Sequence, residues 1–291
     1  MKSLAIIFAM AATFTLLGKE YHVSVQGDDA SDGSKSKPFK SISAAALRAQ
    51  PGDVITVHKG VYRERVNPPR GGESDQQRIV YQTAPGEKVV ITGSEPIKGW
   101  EKLAGDTWKV TLPNAFFGSF NPYAELIHGD WFGDNGRRHH PGAVYLNGDW
   151  LVEAAHLDEV RKPAGKTPLW YAQVDGASKG GPELLKSTVI HAQFPGVDPN
   201  AQSVEIHFRQ TVFPPAKTGT DYITVHGFDL RNAATPWAPP SAAQYGIVSA
   251  YWSKGWIIEN NEITFSKCCG VALGKYGDEF DNTNDASSAD P

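Results

Sequence analysis

Cysteine is scarce: Cys268 and Cys269, side by side, are the two that the 291 residues contain. Adjacent cysteines rarely bridge each other, because the eight-membered ring strains the peptide, so the pair reads as two small side chains at a strand turn. A tetrahedral zinc site would need a second ligand pair, and no Cys/His cluster supplies one. Basic excess is missing as well. Lys and Arg number 28 against 32 Asp and Glu, a formal net charge of −4. That balance leaves no footprint for nucleic acid and weighs against a polyanionic ligand. No nucleophile elbow, phosphate loop or H-E-x-x-H is present, and no cofactor is implied. Long apolar runs are confined to the start, where Lys2 precedes an apolar stretch at 4–17 broken by Thr13 and Thr15. It is shorter than the about 20 residues a spanning helix needs and reads as a signal peptide, residues 1–18. Ala9-Met10-Ala11 and Gly18 are the cleavage candidates. No membrane span is expected after Lys19, so the mature protein is expected to be soluble, secreted or periplasmic.

What the sequence does hold is turn chemistry and aromatics: 29 Gly, 20 Pro, 8 Trp and 10 Tyr. Short β-rich runs alternate with turns, and helical periodicity is almost absent. Strands are predicted at 21–25, 53–58, 60–66, 79–82 and 89–92, with one short helix at 42–49 ended by Pro51-Gly52. An internal repeat stands out. Asp53-Val54-Ile55-Thr56-Val57-His58 and Asp221-Tyr222-Ile223-Thr224-Val225-His226 agree at five of six positions. Each is followed within two residues by Gly and another strand, and a third unit begins at Gly255. These units fit the coils of a right-handed parallel β-helix, in which Ile55/Val57, Ile223/Val225 and Ile258 stack inward. Asn260-Asn261 supplies a corner, since Asn tolerates the left-handed backbone region and can bond along the stack. The helix would cap the open end. A β-sandwich is the rival, and the repeat, the Asn-Asn corner and the helix favour the solenoid.

Residues 94–220 do not repeat. Strands at 108–110, 144–146, 170–174, 189–194 and 204–208 read as an inserted or flanking β-sandwich. The organisation expected is a cap and first coils at 19–93, the sandwich at 94–220 and further coils at 221–291. The polar, acidic stretch after Leu273 replaces the coil that should follow, so the chain reads as truncated at its C-terminus.

Chemistry is sparse. The Gly- and Asp-rich stretch 27–33 could bind calcium, although a solvated loop is the simpler reading. Glycoside hydrolysis needs two carboxyls across a sugar, and Asp53, Asp130, Asp149, Asp229, Glu259 and Glu262 are the candidates. Asp53 and Asp221 share a repeat position and read as turn residues; Glu259 and Glu262 read as solvated or stacking residues. No pair is singled out. Gly129-Asp130-Trp131-Phe132 and Thr235-Pro236-Trp237-Ala238-Pro239-Pro240 place Trp131 and Trp237 on irregular segments, where an indole face can stack on a pyranose. Core filling is the alternative for both. Trp256 reads as packing, and His139-His140 as a surface turn.

With these segments laid out, the chain resembles glycoside hydrolase family 120, β-xylosidases with a β-helix core and a flanking sandwich, from Tyr21 to about Lys275. Phe120-Asn121-Pro122-Tyr123, Gly129-Asp130-Trp131 and Ala234-Thr235-Pro236-Trp237-Ala238-Pro239-Pro240 carry the resemblance most specifically. Gly60-Val61-Tyr62-Arg63-Glu64 and the segment 86–95 are looser. The resemblance implies retaining hydrolysis of β-xylosides, with a xylo-oligosaccharide or a related plant polysaccharide fragment as substrate. It places the family's nucleophile Asp and acid/base Glu on later coils, beyond Pro291, so neither is carried over. It implies that Trp131 reaches a sugar subsite. It also implies a homo-oligomer in which one subunit's sandwich helps line a neighbour's site. A β-helix polysaccharide lyase and a non-catalytic carbohydrate-binding β-helix are the alternatives.

Overall fold

The computed structural model describes residues 18–129, 132–162, 164–175, 187–237 and 245–274. Residues 1–17, where a signal peptide was expected, Asp130, Trp131 and the segment after Gly274 lie outside the described residues. The described chain is all-β apart from short helices.

Three parallel sheets share one core. The first orders its strands Glu20–Val23, Val54–Val57, Ile79–Thr83, Ile223–His226 and Ile257–Glu259. The second orders Gly60–Tyr62, Val89–Thr92, Asp229–Ala233 and Glu262–Ser266. The third pairs Val248–Ser249 with Val271–Ala272, and Phe213 bridges to Val248 in parallel. The chain visits the sheets in turn, so each strand lies beside its counterpart from the previous circuit. Parallel neighbours need such long crossover connections. Inward side chains from successive circuits, Ile55, Tyr81, Val225 and Leu230 among them, are fully buried together.

The repeat is seated with an unexpected offset. Ile55 lies level with Tyr81, and Tyr81 with Val225. Ile223, the repeat equivalent of Ile55, is level with Ile79 instead. The slip is two residues, and because side chains alternate with period two the same face stays inward. The Asn corner forms as expected. Asn260 has φ of 54°, and Asn261 bonds the preceding circuit twice, donating to the Val225 carbonyl at 2.8 Å and accepting from Phe228 N–H at 2.9 Å.

The helix Ile42–Arg48 covers the first strands with Ile42, Ala45 and Ala46. Ser41 caps it, accepting from Ala44 N–H at 3.1 Å. Glu64 accepts from Ile42 N–H and Ser43 N–H, each at 2.9 Å, placing a carboxylate at the positive end of the helix. This explains why the strand predicted at 60–66 ends at Tyr62. Glu64 turns to the helix, and Arg63 turns to Glu205.

Between Ser94 and His207 the chain builds two further sheets. One is antiparallel, in the order Asp149–Trp150, Val144–Leu146, Val204–His207, Ser94–Pro96. The other orders Val152–Glu153, Leu169–Val174, Ser187–Gln193, Thr107–Pro113 and Glu101–Ala104, antiparallel except for its first pair. Val144, Val204 and Ile206 from one share a core with Trp108, Trp170 and Ile190 from the other. The segment leaves the parallel sheets after Val89–Thr92 and returns at Phe213, so its two ends meet at Gly93. Phe208 and Arg209 N–H both donate to the Gly93 carbonyl, at 3.0 and 2.8 Å. A Cβ at Gly93 would meet the Asn232 carbonyl at 2.6 Å, so only glycine fits this crossing. Beside it Arg63 holds Glu205 at 2.7 Å, and Ser94 bonds both Glu205 and Asn232.

Candidate functional site

Described residues of the segments 121–129 and 132–142 in the inserted region line two cavities. The base of these segments is built by Phe-Asn-Pro-Tyr. Asn121 donates to Thr188 Oγ1 at 2.8 Å and accepts from Tyr123 N–H at 3.0 Å. The buried Tyr123 hydroxyl donates to the Ala143 carbonyl at 2.7 Å, and Gly142 N–H donates to the Pro122 carbonyl at 2.8 Å. Higher up, Ile127 N–H donates to the His139 carbonyl at 2.8 Å. Asp134 holds the tip, its carboxylate accepting from Gly136 N–H at 2.9 Å. One of the three segments that carry the resemblance most specifically is thus a structural anchor for what lies beyond it.

The smaller cavity, of about 210 Å³, is lined by Leu126, Phe132, Arg137, Arg138 and His139 among others. Phe132 sits edge-on to His139, ring centres 5.5 Å apart, and 5.7 Å from Trp237. Trp237 therefore leaves the parallel sheets to join an aromatic cluster with the inserted loop, and it is half-buried there. Trp131, the other expected sugar contact, lies outside the described residues, as does Asp130. A larger cavity of about 660 Å³ shares Leu126, Arg137 and Arg138 with the first and continues to His140, Glu153, His156, Tyr171 and Gln173.

Glu153 ties this site to the parallel sheets. Its carboxylate is buried and accepts from His140 Nδ1 at 2.7 Å and from Lys267 Nζ at 3.3 Å. Lys267 follows the strand Glu262–Ser266 and also donates to the Gly142 carbonyl at 3.3 Å. Burial pushes the Glu153 carboxyl up, but the His140 hydrogen bond and the Lys267 charge outweigh it and hold it below the usual carboxylate value. His140, expected on a surface turn, is a seam residue because this carboxylate recruits it. Glu153→Gln keeps the shape and removes the charge, and is expected to destabilise the fold by about 1–3 kcal/mol. Urea denaturation checks this: a midpoint as little changed as that of exposed Asp149→Asn would show that the seam contributes nothing.

Several other carboxylates are engaged by partners within the fold. Asp53 accepts from Lys19 and Gln50 N–H at 2.7 and 2.8 Å, and Asp221 from Lys254 N–H at 2.9 Å, as their shared repeat position implied. Glu259 pairs with His226 at 3.2 Å in solvent. Asp229 is buried, with Lys88 at 3.4 Å and Arg231 at 3.7 Å. In the stretch 27–33, Asp28, Asp29 and Asp32 spend oxygens on the backbone N–H groups of Ala30, Lys40, Ser41 and Ser34. Trp256 packs against the parallel-sheet core and donates to the Thr220 carbonyl at 2.8 Å. Cys268 and Cys269 are free thiols at the bend after Ser266, and burial pushes Cys268 up to about 11. Arg137 and Arg138 were not singled out in the sequence. The run Arg137-Arg138-His139-His140 beside the Gly-Asp-Trp segment was the available signal.

Residues 97–206 match the family described as glycoside hydrolase 120, insertion domain. Residues 25–68 match a family described as protein of unknown function, DUF1565. The chain is 32% identical over 76 residues to the uncharacterized protein YwoF of Bacillus subtilis (strain 168), covering 26% of this chain and 16% of YwoF. A solved complex of XylC with xylose is 43% identical with a TM-score of 0.84, over 93% of this chain and 43% of XylC. Another solved structure, described as a glycoside hydrolase, has a TM-score of 0.52 at 12% identity, over 87% of this chain and 63% of its own, and bears on the fold alone. The chain thus spans less than half the length of XylC.

Proposed function

From the chain's relationship to glycoside hydrolase family 120, we propose that it supplies the substrate-facing part of an exported β-xylosidase acting on xylo-oligosaccharides. The observation that carries this reading is the 43% identity to XylC, a protein solved with xylose, over 93% of the chain. In this reading the three parallel sheets are coils of a right-handed β-helix, and residues 94–220 are a sandwich grafted onto one circuit. The aromatic cluster of Phe132, His139 and Trp237 is a natural face for a pyranose, whose C–H groups stack on aromatic rings.

A retaining glycosidase needs one carboxyl that stays protonated near neutral pH and a second as nucleophile, about 5–5.5 Å away. Among the described residues, the carboxyls with a shifted proton affinity are Asp32, Glu87, Glu153 and Glu205, all shifted downward. Such groups cannot serve as the acid. The resemblance to the family, which places the reacting pair on later coils, assigns that pair outside the described residues, and the 291-residue chain is expected to bind sugar without hydrolysing it. Homo-oligomer formation and export belong to the same reading.

The test is titration of the purified chain with xylotriose, beside an assay with an aryl β-xyloside. Binding without turnover is the expected result. Trp237→Ala is expected to weaken binding by roughly three- to tenfold, the worth of one stacking contact. Appreciable hydrolysis would overturn the assignment of the pair. Absence of any xylotriose binding would overturn the sugar-facing role. Unsaturated products from pectate or alginate with the full-length protein would replace the reading with a lyase.

A further inference from the structure

The larger cavity carries an asymmetry that a neutral xyloside does not use. Arg137 and Arg138 both line it, and among the described residues neither guanidinium has a carboxylate within ion-pairing distance. Arg137 donates one Nη to the Glu153 carbonyl at 2.8 Å, and its Nε is buried without a partner among the described residues. Arg138 is exposed and is among the residues that line both cavities. Two carboxylates also line the space. Glu153 is already engaged by Lys267 and His140, and exposed Asp175 accepts from Ser187 Oγ at 3.3 Å. The lining therefore keeps forked donors in excess, with Tyr171 and Gln173 beside them for hydroxyls.

We infer that this cavity is a carboxylate subsite, and that the preferred ligand is an acidic xylo-oligosaccharide, one bearing a uronic-acid branch. The inference rests on the reading of the chain as xyloside-binding. A guanidinium is matched in geometry to a carboxylate, which it can hold by two parallel N–H···O bonds. The cavity adjoins the aromatic cluster, sharing Leu126, Arg137 and Arg138, so one oligosaccharide can place a ring on Phe132 and Trp237 and its acidic substituent against the arginines. At about 660 Å³ the space falls within the range of small-molecule sites. A polyanion is a poorer fit, because the chain's net charge of −4 repels it overall while one carboxylate meets only the local excess.

The experiment is calorimetric titration of the full chain at low and high salt with three ligands: linear xylotriose, the same trisaccharide with one glucuronic-acid branch, and free glucuronate. The branched ligand is expected to bind at least about tenfold more tightly than the linear one, the worth of one charge-assisted bidentate contact, with the advantage shrinking in salt. Arg138→Gln, an exposed change that leaves the core intact, is expected to abolish the advantage, and Arg138→Lys to restore only part of it. Equal affinity for branched and linear ligands, or an advantage that survives Arg138→Gln, would overturn the inference and leave the xyloside reading standing. Binding of glucuronate and the branched ligand without linear xylotriose would support the carboxylate subsite and remove the xyloside reading. Binding of none would overturn both.

Discussion

Lowering the pH from 7.5 to about 4.5 is expected to remove roughly 2.5 kcal/mol of folding stability through one side chain, His207. His207 lies on the strand Val204–His207 and is fully buried. Its Nδ1 donates to the Pro141 carbonyl at 2.7 Å, which leaves Nε2 to accept from the Tyr145 hydroxyl at 2.7 Å. Burial drives its pKa down from 6.5 to about 3; the Pro141 bond opposes this, and the Lys267 charge adds to it. In the unfolded chain the ring takes up a proton below 6.5, whereas the folded ring stays neutral until about 3. The stabilisation is therefore complete above 6.5 and is lost as the pH falls from there, at up to about 1.4 kcal/mol per pH unit. His22 and His191 are shifted the same way by burial. Below the ordinary carboxylate value of 4.5, Glu153 and Glu205 add a further loss, since both are held low by their partners and must be protonated in acid. Chemical denaturation at a series of pH values reads the slope directly. His207→Gln is expected to be less stable at pH 7.5 and to lose markedly less stability than the wild type between about pH 6.5 and 4.5, the remaining slope belonging to His22 and His191. A wild-type chain equally stable across that interval would refute the role of His207.

Trp170→Ala is expected to cost about 3–5 kcal/mol, the range for removing a fully buried aromatic side chain and leaving its cavity. Trp170 is 1% exposed on the strand Leu169–Val174, at the centre of the core between the two inserted sheets. It meets Tyr123 edge-on at 5.5 Å, and the Lys267 ammonium stands 5.8 Å from its ring centre. Tyr123 anchors the loop that carries Phe132, Arg137 and Arg138, so the same substitution is expected to weaken sugar binding without touching sugar. Trp150→Ala is the comparison. Trp150 is 44% exposed, and its removal is expected to cost about 0.5–1 kcal/mol. Equal urea midpoints for the two variants would show that the inserted core does not depend on Trp170.

The individual strands were largely legible in the sequence, because alternation of apolar and polar residues is a local signal. The predicted span 144–146 is the observed Val144–Leu146, and 89–92 is Val89–Thr92. The strand predicted at 60–66 was too long because its last residues respond to distant partners, Glu64 to a helix end and Arg63 to Glu205. The site was less legible. Trp237 was visible as an aromatic on an irregular segment, but its neighbour Phe132 is 105 positions away in the chain and was not assigned a role. His140 looked like a surface turn until Glu153 and Lys267 converged on it.

The sequence by itself determined the all-β character, the repeat at Asp53 and Asp221, the Asn260 corner and the chemistry available at each position, since each depends on residue type and nearest neighbours. Tertiary structure alone decided the two-residue offset of the repeat, because Ile79–Thr83 lies between the two copies and sets their register. It alone decided that Glu153 is spent on Lys267 and His140 while Arg137 and Arg138 are left facing a cavity. Ion pairing depends on a few ångströms of separation, and residues 114 positions apart are brought to that distance only by the meeting of the inserted sheets with the parallel ones.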